Sequence, residues 1–229
     1  MQLYGIGDLH LSLGVPEKPM DIFQGWENYM QLLEQNWRNV VQPEDTVVLA
    51  GDLSWGMNLQ QAKADFAFLE SLPGQKIILK GNHDYWWNSM RKMQQFFVDN
   101  GFVSLHILHN NHYAFEQYGI CGTRGWVSMN GEPADAKVLA REVQRLEVSI
   151  QSARAEQLQP IVFLHYPPIY ANSYNYEILE VLHRYQITAC YYGHIHGKSQ
   201  QYAFEGLYEE TKMYLISGDY IQFRPVKII

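Results

Sequence analysis

A chain of 229 residues with 47% hydrophobic content is long enough to bury a substantial core, and its length predicts a single domain spanning residues 1–229. A formal net charge of −7 with no cluster of lysines or arginines argues against a protein that grips a nucleic-acid backbone through a basic surface. The longest apolar runs, Val47–Ala50 and Ile161–Leu164, fall far short of the roughly 20 residues a membrane span needs, and no basic segment followed by an apolar stretch precedes Leu3, so a soluble, cytoplasmic protein without a membrane partner is expected.

Short runs rich in branched and aromatic residues alternate with stretches of helical period, the pattern of α/β architecture. Gln2–Ile6 reads as the first strand. Ile22, Trp26, Tyr29, Met30, Leu33, Trp37 and Val40 then share one helical face. Strands follow at Thr46–Ala50, Lys76–Lys80 and Tyr113–Gly122. A second helical face joins Leu139, Val143, Leu146, Ile150 and Ala153, and three further strands are predicted at Ile161–His165, Ile187–Tyr192 and Met213–Ser217. Both apolar stripes read as core that packs on a sheet. Cys121 and Cys190 lie in apolar, strand-like surroundings without C-x-x-C spacing, which points to reduced, buried thiols rather than a zinc-thiolate site.

The residues able to do chemistry stand where the apolar strands end. In open α/β sheets the loops at the carboxyl ends of the strands converge on one edge, so these residues are expected to meet. Asp8-Leu9-His10 places two ligand types on one face of an extended segment. Gly51-Asp52 follows Val47–Ala50 and puts a carboxylate at the sheet edge, where it can also cap a helix. Gly81-Asn82-His83-Asp84 fixes three polar groups behind a glycine turn. His165 follows Ile161–Leu164, and Gly193-His194-Ile195-His196 offers two imidazoles at i and i+2, a natural chelate. Of the nine histidines, His106, His109, His112 and His183 belong to no such pattern and read as structural or exposed.

The order D-x-H, G-D, G-N-H-D, H, G-H-x-H, from Asp8 to His196, resembles that of the calcineurin-like metallophosphoesterases. The resemblance implies a four-layer sandwich in which two mixed β-sheets are flanked by helices. It implies one metal held by Asp8, His10, Asp52 and His196 and a second held by Asp52, Asn82, His165 and His194, with Asp52 bridging. Carboxylates and imidazoles without thiolates suit manganese, iron, zinc, nickel or cobalt. Two such cations about 3.5–4 Å apart can share a water and present hydroxide to phosphorus. His83 then takes the place of a general acid for the leaving group, and Asp84 positions backbone or a neighbouring imidazole.

The expected substrate is a small phosphomonoester or phosphodiester. Protein serine/threonine phosphatases carry a further acidic residue and an arginine after the bridging aspartate, whereas Asp52 is followed here by Leu53-Ser54-Trp55-Gly56, which argues against that class. Alternative readings are a nuclease, for which no basic track is visible, and a metal-retaining scaffold without hydrolytic activity, for which His83 or a ligand would have to be replaced. Trp55, Tyr85, Trp86, Trp87, Trp126, Tyr166 and Tyr170 crowd the motifs, and one or two are expected to touch substrate. Arg124 and Trp126, in the loop Gly122–Trp126, are candidate substrate contacts, a surface ion pair being the other role open to Arg124.

Overall fold

Short runs in which apolar residues predominate build the first sheet. The computed structural model describes residues 1–126 and 136–229. Strands β1 (Leu3–Ile6), β2 (Thr46–Leu49), β3 (Gln75–Ile78) and β4 (Leu105–Ile107) run parallel in that order, and β13 (Val226–Lys227) adds antiparallel to the outer side of β1. Such strands are buried on both faces, as parallel sheets require. Tyr4, Ile6, Val47, Leu49 and Ile78 face helices α1 (Tyr29–Val40), α2 (Lys63–Ser71) and α3 (Met90–Asp99), while Leu3, Val48, Ala50 and Ile77 face the second sheet.

The second sheet has the order β11-β12-β10-β7-β6-β5, with β5 (Tyr113–Phe115), β6 (Tyr118–Thr123), β7 (Gln159–Leu164), β10 (Ala189–Tyr192), β11 (Gly206–Tyr208) and β12 (Thr211–Leu215). Its inner four strands are parallel, and both edges are antiparallel. Ile120, Ile161, Phe163 and Tyr191 meet the first sheet, and Val162, Leu164, Cys190 and Met213 meet α4 (Ala136–Ala155) and α5 (Tyr176–Arg184). The result is four layers, helices outside and two mixed sheets within. A small hairpin, β8 (Ile169–Tyr170) with β9 (Ser173–Tyr174), and a 3₁₀ turn at Gly197–Tyr202 complete the described elements.

Two sequence expectations need correction. The run Tyr113–Gly122 is not one strand but the hairpin β5–β6, reversed at Glu116 and Gln117 with Glu116 at φ +50°. The helical face that began at Ile22 starts only at Tyr29, because Gly25 (φ +88°) and Asn28 (φ +54°) turn the chain, and Ile22 is 72% exposed. The remaining members of that face, from Tyr29 onward, pack on the first sheet as expected. No helix among the described residues is long and apolar enough to cross a membrane.

Candidate metal centre

The parallel strands deliver their carboxyl ends to one edge, where the two sheets are joined: Gly7 N donates to Ile216 O and Gly218 N donates to Gly7 O. Asp8 and His10 leave β1 there, but not in extended form, since their φ values are +57° and +44°. The loop backbone is held by Asp8 N to Gly51 O and His10 N to Asp52 O. The glycines of the motifs are needed for close approach. At Gly51 (φ +88°) a Cβ would lie 2.7 Å from both Gly81 Cα and His165 Nδ1, and at Gly81 it would lie 2.1 Å from Asp52 Oδ1.

Two donor clusters result: Asp8, His10 and His196, and Asp52, His165 and His194. In the first, His10 Nε2 is 3.3 Å from His196 Nε2, which is 3.4 Å from Asp8 Oδ1. In the second, His165 Nε2 is 2.6 Å from Asn82 Oδ1, 3.2 Å from His194 Nδ1 and 3.5 Å from Asp52 Oδ2. Asp52 Oδ2 also stands 3.8 Å from His10 Nε2, between the clusters. All seven residues predicted as ligands are therefore brought together.

The chemistry of these donors fits cations. His165 Nδ1 is bonded to Ala50 O at 3.0 Å, so its proton belongs there and a bare Nε2 lone pair faces two oxygens and a ring nitrogen. His196 Nδ1 donates to Asp219 Oδ1 at 3.0 Å, which directs its Nε2 toward Asp8 and His10. Lone pairs crowded at such distances repel unless positive charge lies among them. Burial, reinforced by neighbouring imidazoles, holds His10 well below the ordinary range and His194 at about 3, the neutral form that binds metal. Burial, then the charges of Asp84 and Asp8, push Asp52 up. Burial also opposes ionisation of Asp8, yet His196, His165 and His10 together hold its carboxyl below the usual range. His196 is raised to about 10 despite its burial, because Asp8 and Asp219 favour the cation, so a metal there would have to displace a proton.

Asp84 holds the second and third motifs together. Its carboxylate accepts from the amides of Asp52 (3.0 Å), Leu53 (2.9 Å) and Gly81 (2.7 Å) and from Trp86 Nε1 (2.9 Å). His83 has its amide on Asp52 Oδ1 at 2.7 Å and its half-buried ring 4.6 Å from that of Trp55. Its Nδ1 has no partner among the described residues. A cavity of about 440 Å³ opens at this ring, and Asp52, His10, His194 and His196 form its floor.

Arg124 is tied to the site through its backbone, for its carbonyl accepts from the amides of His165 and Tyr166. Its guanidinium, however, lies 3.6 Å from the buried carboxylate of Glu142 and 5.0 Å over the ring of Trp126. It lines a separate pocket of about 20 Å³ rather than the cavity at His83. His106 bonds Gln75, His112 bonds Ser152, and His183 lies exposed against Glu209 and Glu210, each 3.0 Å away. Cys121 and Cys190 are free and buried, and burial pushes the Cys121 thiol up to about 12. Several residues of the site region carried no signal in the sequence, Asp219 and Phe23 among them. Asp219 stands in Ser217-Gly218-Asp219 with no ligand motif around it, and Phe23 lies in a stretch that reads as helix.

A profile of the calcineurin-like phosphoesterases matches residues 1–198, and the chain belongs to that family. Membership implies a hydrolase. An uncharacterized protein of Methanocaldococcus jannaschii, MJ1445, is 33% identical over 113 residues, 48% of this chain, and the match spans 58% of its own length. Among solved structures, the protein of unknown function AQ665 from Aquifex aeolicus aligns with 99% of this chain and 95% of its own, at a TM-score of 0.52 and 16% identity. The protein TT1561 of Thermus thermophilus aligns over 86% of this chain and 82% of its own, at 0.50 and 15%. These two likenesses speak for the fold.

Proposed function

We propose that this chain is a hydrolase of small phosphomonoesters or phosphodiesters that works with two divalent cations. The observation that supports it is the pair of donor clusters with Asp52 Oδ2 between them, 3.8 Å from His10 Nε2 and 3.5 Å from His165 Nε2. In this reading Asp8, His10, Asp52 and His196 hold one cation, and Asp52, Asn82, His165 and His194 the other. Manganese, iron, zinc, nickel or cobalt suits such donors. When bound, the pair supplies Lewis acidity toward the phosphoryl oxygens and a water of lowered pKa as nucleophile.

The protein's own groups do the rest. His83 donates a proton to the leaving alkoxide, a role supported by its place on the cavity wall beside Asp52 and His10. Burial, with His165 and His196 nearby, lowers the pKa of its ring, so the imidazolium is a stronger acid but a smaller share of the population at neutral pH. Asp84 fixes the backbone on which both Asp52 and Asn82 stand. Residues 1–229 act as one domain in this reading, since Asp219 and β13, beyond the family-matched stretch, brace His196 and β1. Arg124 and Trp126 are the substrate contacts with least geometric support, because Glu142 already engages the guanidinium.

Elemental analysis of the purified chain, paired with hydrolysis of a generic monoester and diester in manganese, tests the proposal. Two cations per chain and turnover of either ester are expected. A single cation, or two cations without turnover of any phosphoester, overturns it. Asp52→Asn should lower the occupancy of both sites, since a neutral amide is a poor bridge.

A further inference from the structure

Residues 12–28 connect β1 to α1 through turns and bends alone. A connection of that length without regular structure is uncommon in a compact fold and is usually either functional or a linker. Here it supplies one wall of the cavity of about 440 Å³ at the donor clusters, with Met20, Phe23, Gln24 and Trp26 on this side and Trp55 opposite. The volume is that of a cleft that encloses an organic group rather than a bare phosphate.

The walls are apolar and partly rigid. Trp26 is buried and stands edge-on to His10 (5.7 Å), His196 (5.8 Å) and Phe223 (5.0 Å). Trp55 stacks on His10 at 5.0 Å with 26° between the planes. Lys18 ties Trp55 to the loop, its ammonium 5.6 Å over the indole and 3.3 Å from the Trp55 carbonyl. Phe23, by contrast, is 52% exposed at the mouth, an apolar ring with little protein to cover it. Charge narrows the occupant. Among the described residues the cavity is lined by one lysine or arginine, Lys198, and by one carboxylate, that of Asp52 at its floor, so its outer walls are mainly apolar and aromatic. A polyanion would meet a single cationic side chain on those walls.

We propose that this cavity is a subsite for a large, uncharged aromatic group carried on the alcohol side of an ester with a single phosphate. The phosphate would meet the donor clusters, His83 would face the ester oxygen, and the ring system would lie against Trp55, Trp26 and Phe23. The proposal rests on the phosphoesterase reading and adds the substrate class to it.

The test compares methyl phosphate with 1-naphthylmethyl phosphate, each as monoester and as methyl diester, on the manganese-loaded chain. Both leave as primary alkoxides, so they differ in ring and size rather than in leaving-group chemistry. The naphthylmethyl esters are expected to be preferred in kcat/KM by at least about tenfold, carried by KM, the effect of burying one ring system. Phe23→Ala should reduce that preference severalfold. Titration calorimetry with methylphosphonate and 1-naphthylmethylphosphonate, neither of which is hydrolysed, reads the same preference as affinity. Equal kcat/KM for the methyl and naphthylmethyl esters overturns the subsite and leaves the phosphoesterase reading standing. No hydrolysis, with a naphthylmethylphosphonate preference that Phe23→Ala reduces, supports the subsite and overturns the hydrolase. Equal phosphonate affinities without hydrolysis overturn both.

Discussion

In the proposed two-cation reading His83 and Asp219 act at one remove from the cations, and each can be separated from the candidate ligands by experiment. His83→Ala is expected to keep its metal and lose about 10²–10⁴-fold in turnover, the usual worth of a general acid. Metal content and rate measured on one preparation decide the matter, because loss of both together would make His83 a ligand. The defect should shrink with nitrophenyl esters, whose leaving group needs little protonation. Asp219 holds His196 Nδ1 at 3.0 Å and the Gly197 amide at 2.9 Å, fixing ring and turn at once. Asp219→Asn should weaken cation binding at the His196 cluster by about 10- to 100-fold, as partners of metal-bound histidines commonly do. Calorimetric titration with manganese would show one weakened and one near-normal site. Partial recovery in Asp219→Glu would separate this role from a general loss of fold.

At the level of elements, the mainly apolar strand runs and the helix through Leu146, Ile150 and Ala153 were legible because burial on both faces, or on one helical stripe, leaves a periodic trace. The candidate ligands were legible because each motif follows such a run, and the structure brings them together. Their backbone was not: Asp8-Leu9-His10 reads as extended, yet both ligands sit at positive φ, a conformation imposed by hydrogen bonds to Gly51 and Asp52 from another strand end. The stretch from Ile22 has helical spacing without helical backbone, because Gly25 and Asn28 break it and spacing alone does not reveal that. Asp219 escaped notice because its partner, His196, is 23 residues away.

Asp65 on α2 shows what an element can do for the site. It is fully buried, accepts from the Leu13 amide at 2.8 Å and bonds the Ser54 hydroxyl, so it ties the residue 12–28 loop to the segment after Asp52. Burial pushes its carboxyl up to about 6, against the opposing pull of those bonds. The raised value means that the folded state binds this proton more tightly than the unfolded chain. The stabilisation is therefore complete below the ordinary carboxylate range and is lost as pH rises through about 6. Asp65→Asn removes that dependence, and the variant should gain about 2 kcal/mol relative to the parent between pH 4 and pH 7. Urea unfolding at both pH values measures it. A constant difference between the two proteins would show that Asp65 does not titrate in this range.

Across the whole molecule, the donors come from both sheets: Asp8, His10, Asp52 and Asn82 from the first, His165, His194 and His196 from the second. Cations bound among them would join the sheets at one edge. Manganese at a hundredfold excess over its dissociation constant should add about 2.7 kcal/mol per site to stability. Thermal unfolding with and without a chelator reads this, and Asp52→Asn should lose most of the difference. An unchanged midpoint would mean that the cations do not couple the sheets.

The pairing of β13 with the outer side of β1 bears on how the chain is made. On the ribosome β1 emerges before all of its partners, which appear in widely separated instalments: β2 some forty residues later, the Gly7 to Ile216 bond and β13 only after another hundred and fifty or more. Contacts so distant in sequence make for slow closure. Throughout that interval the first strand presents an unpaired apolar edge, the kind of surface on which nascent chains aggregate and chaperones act. The architecture that gathers Asp8 and His196 at one sheet edge thus leaves β1, the first strand of this fold, waiting longest for its neighbour.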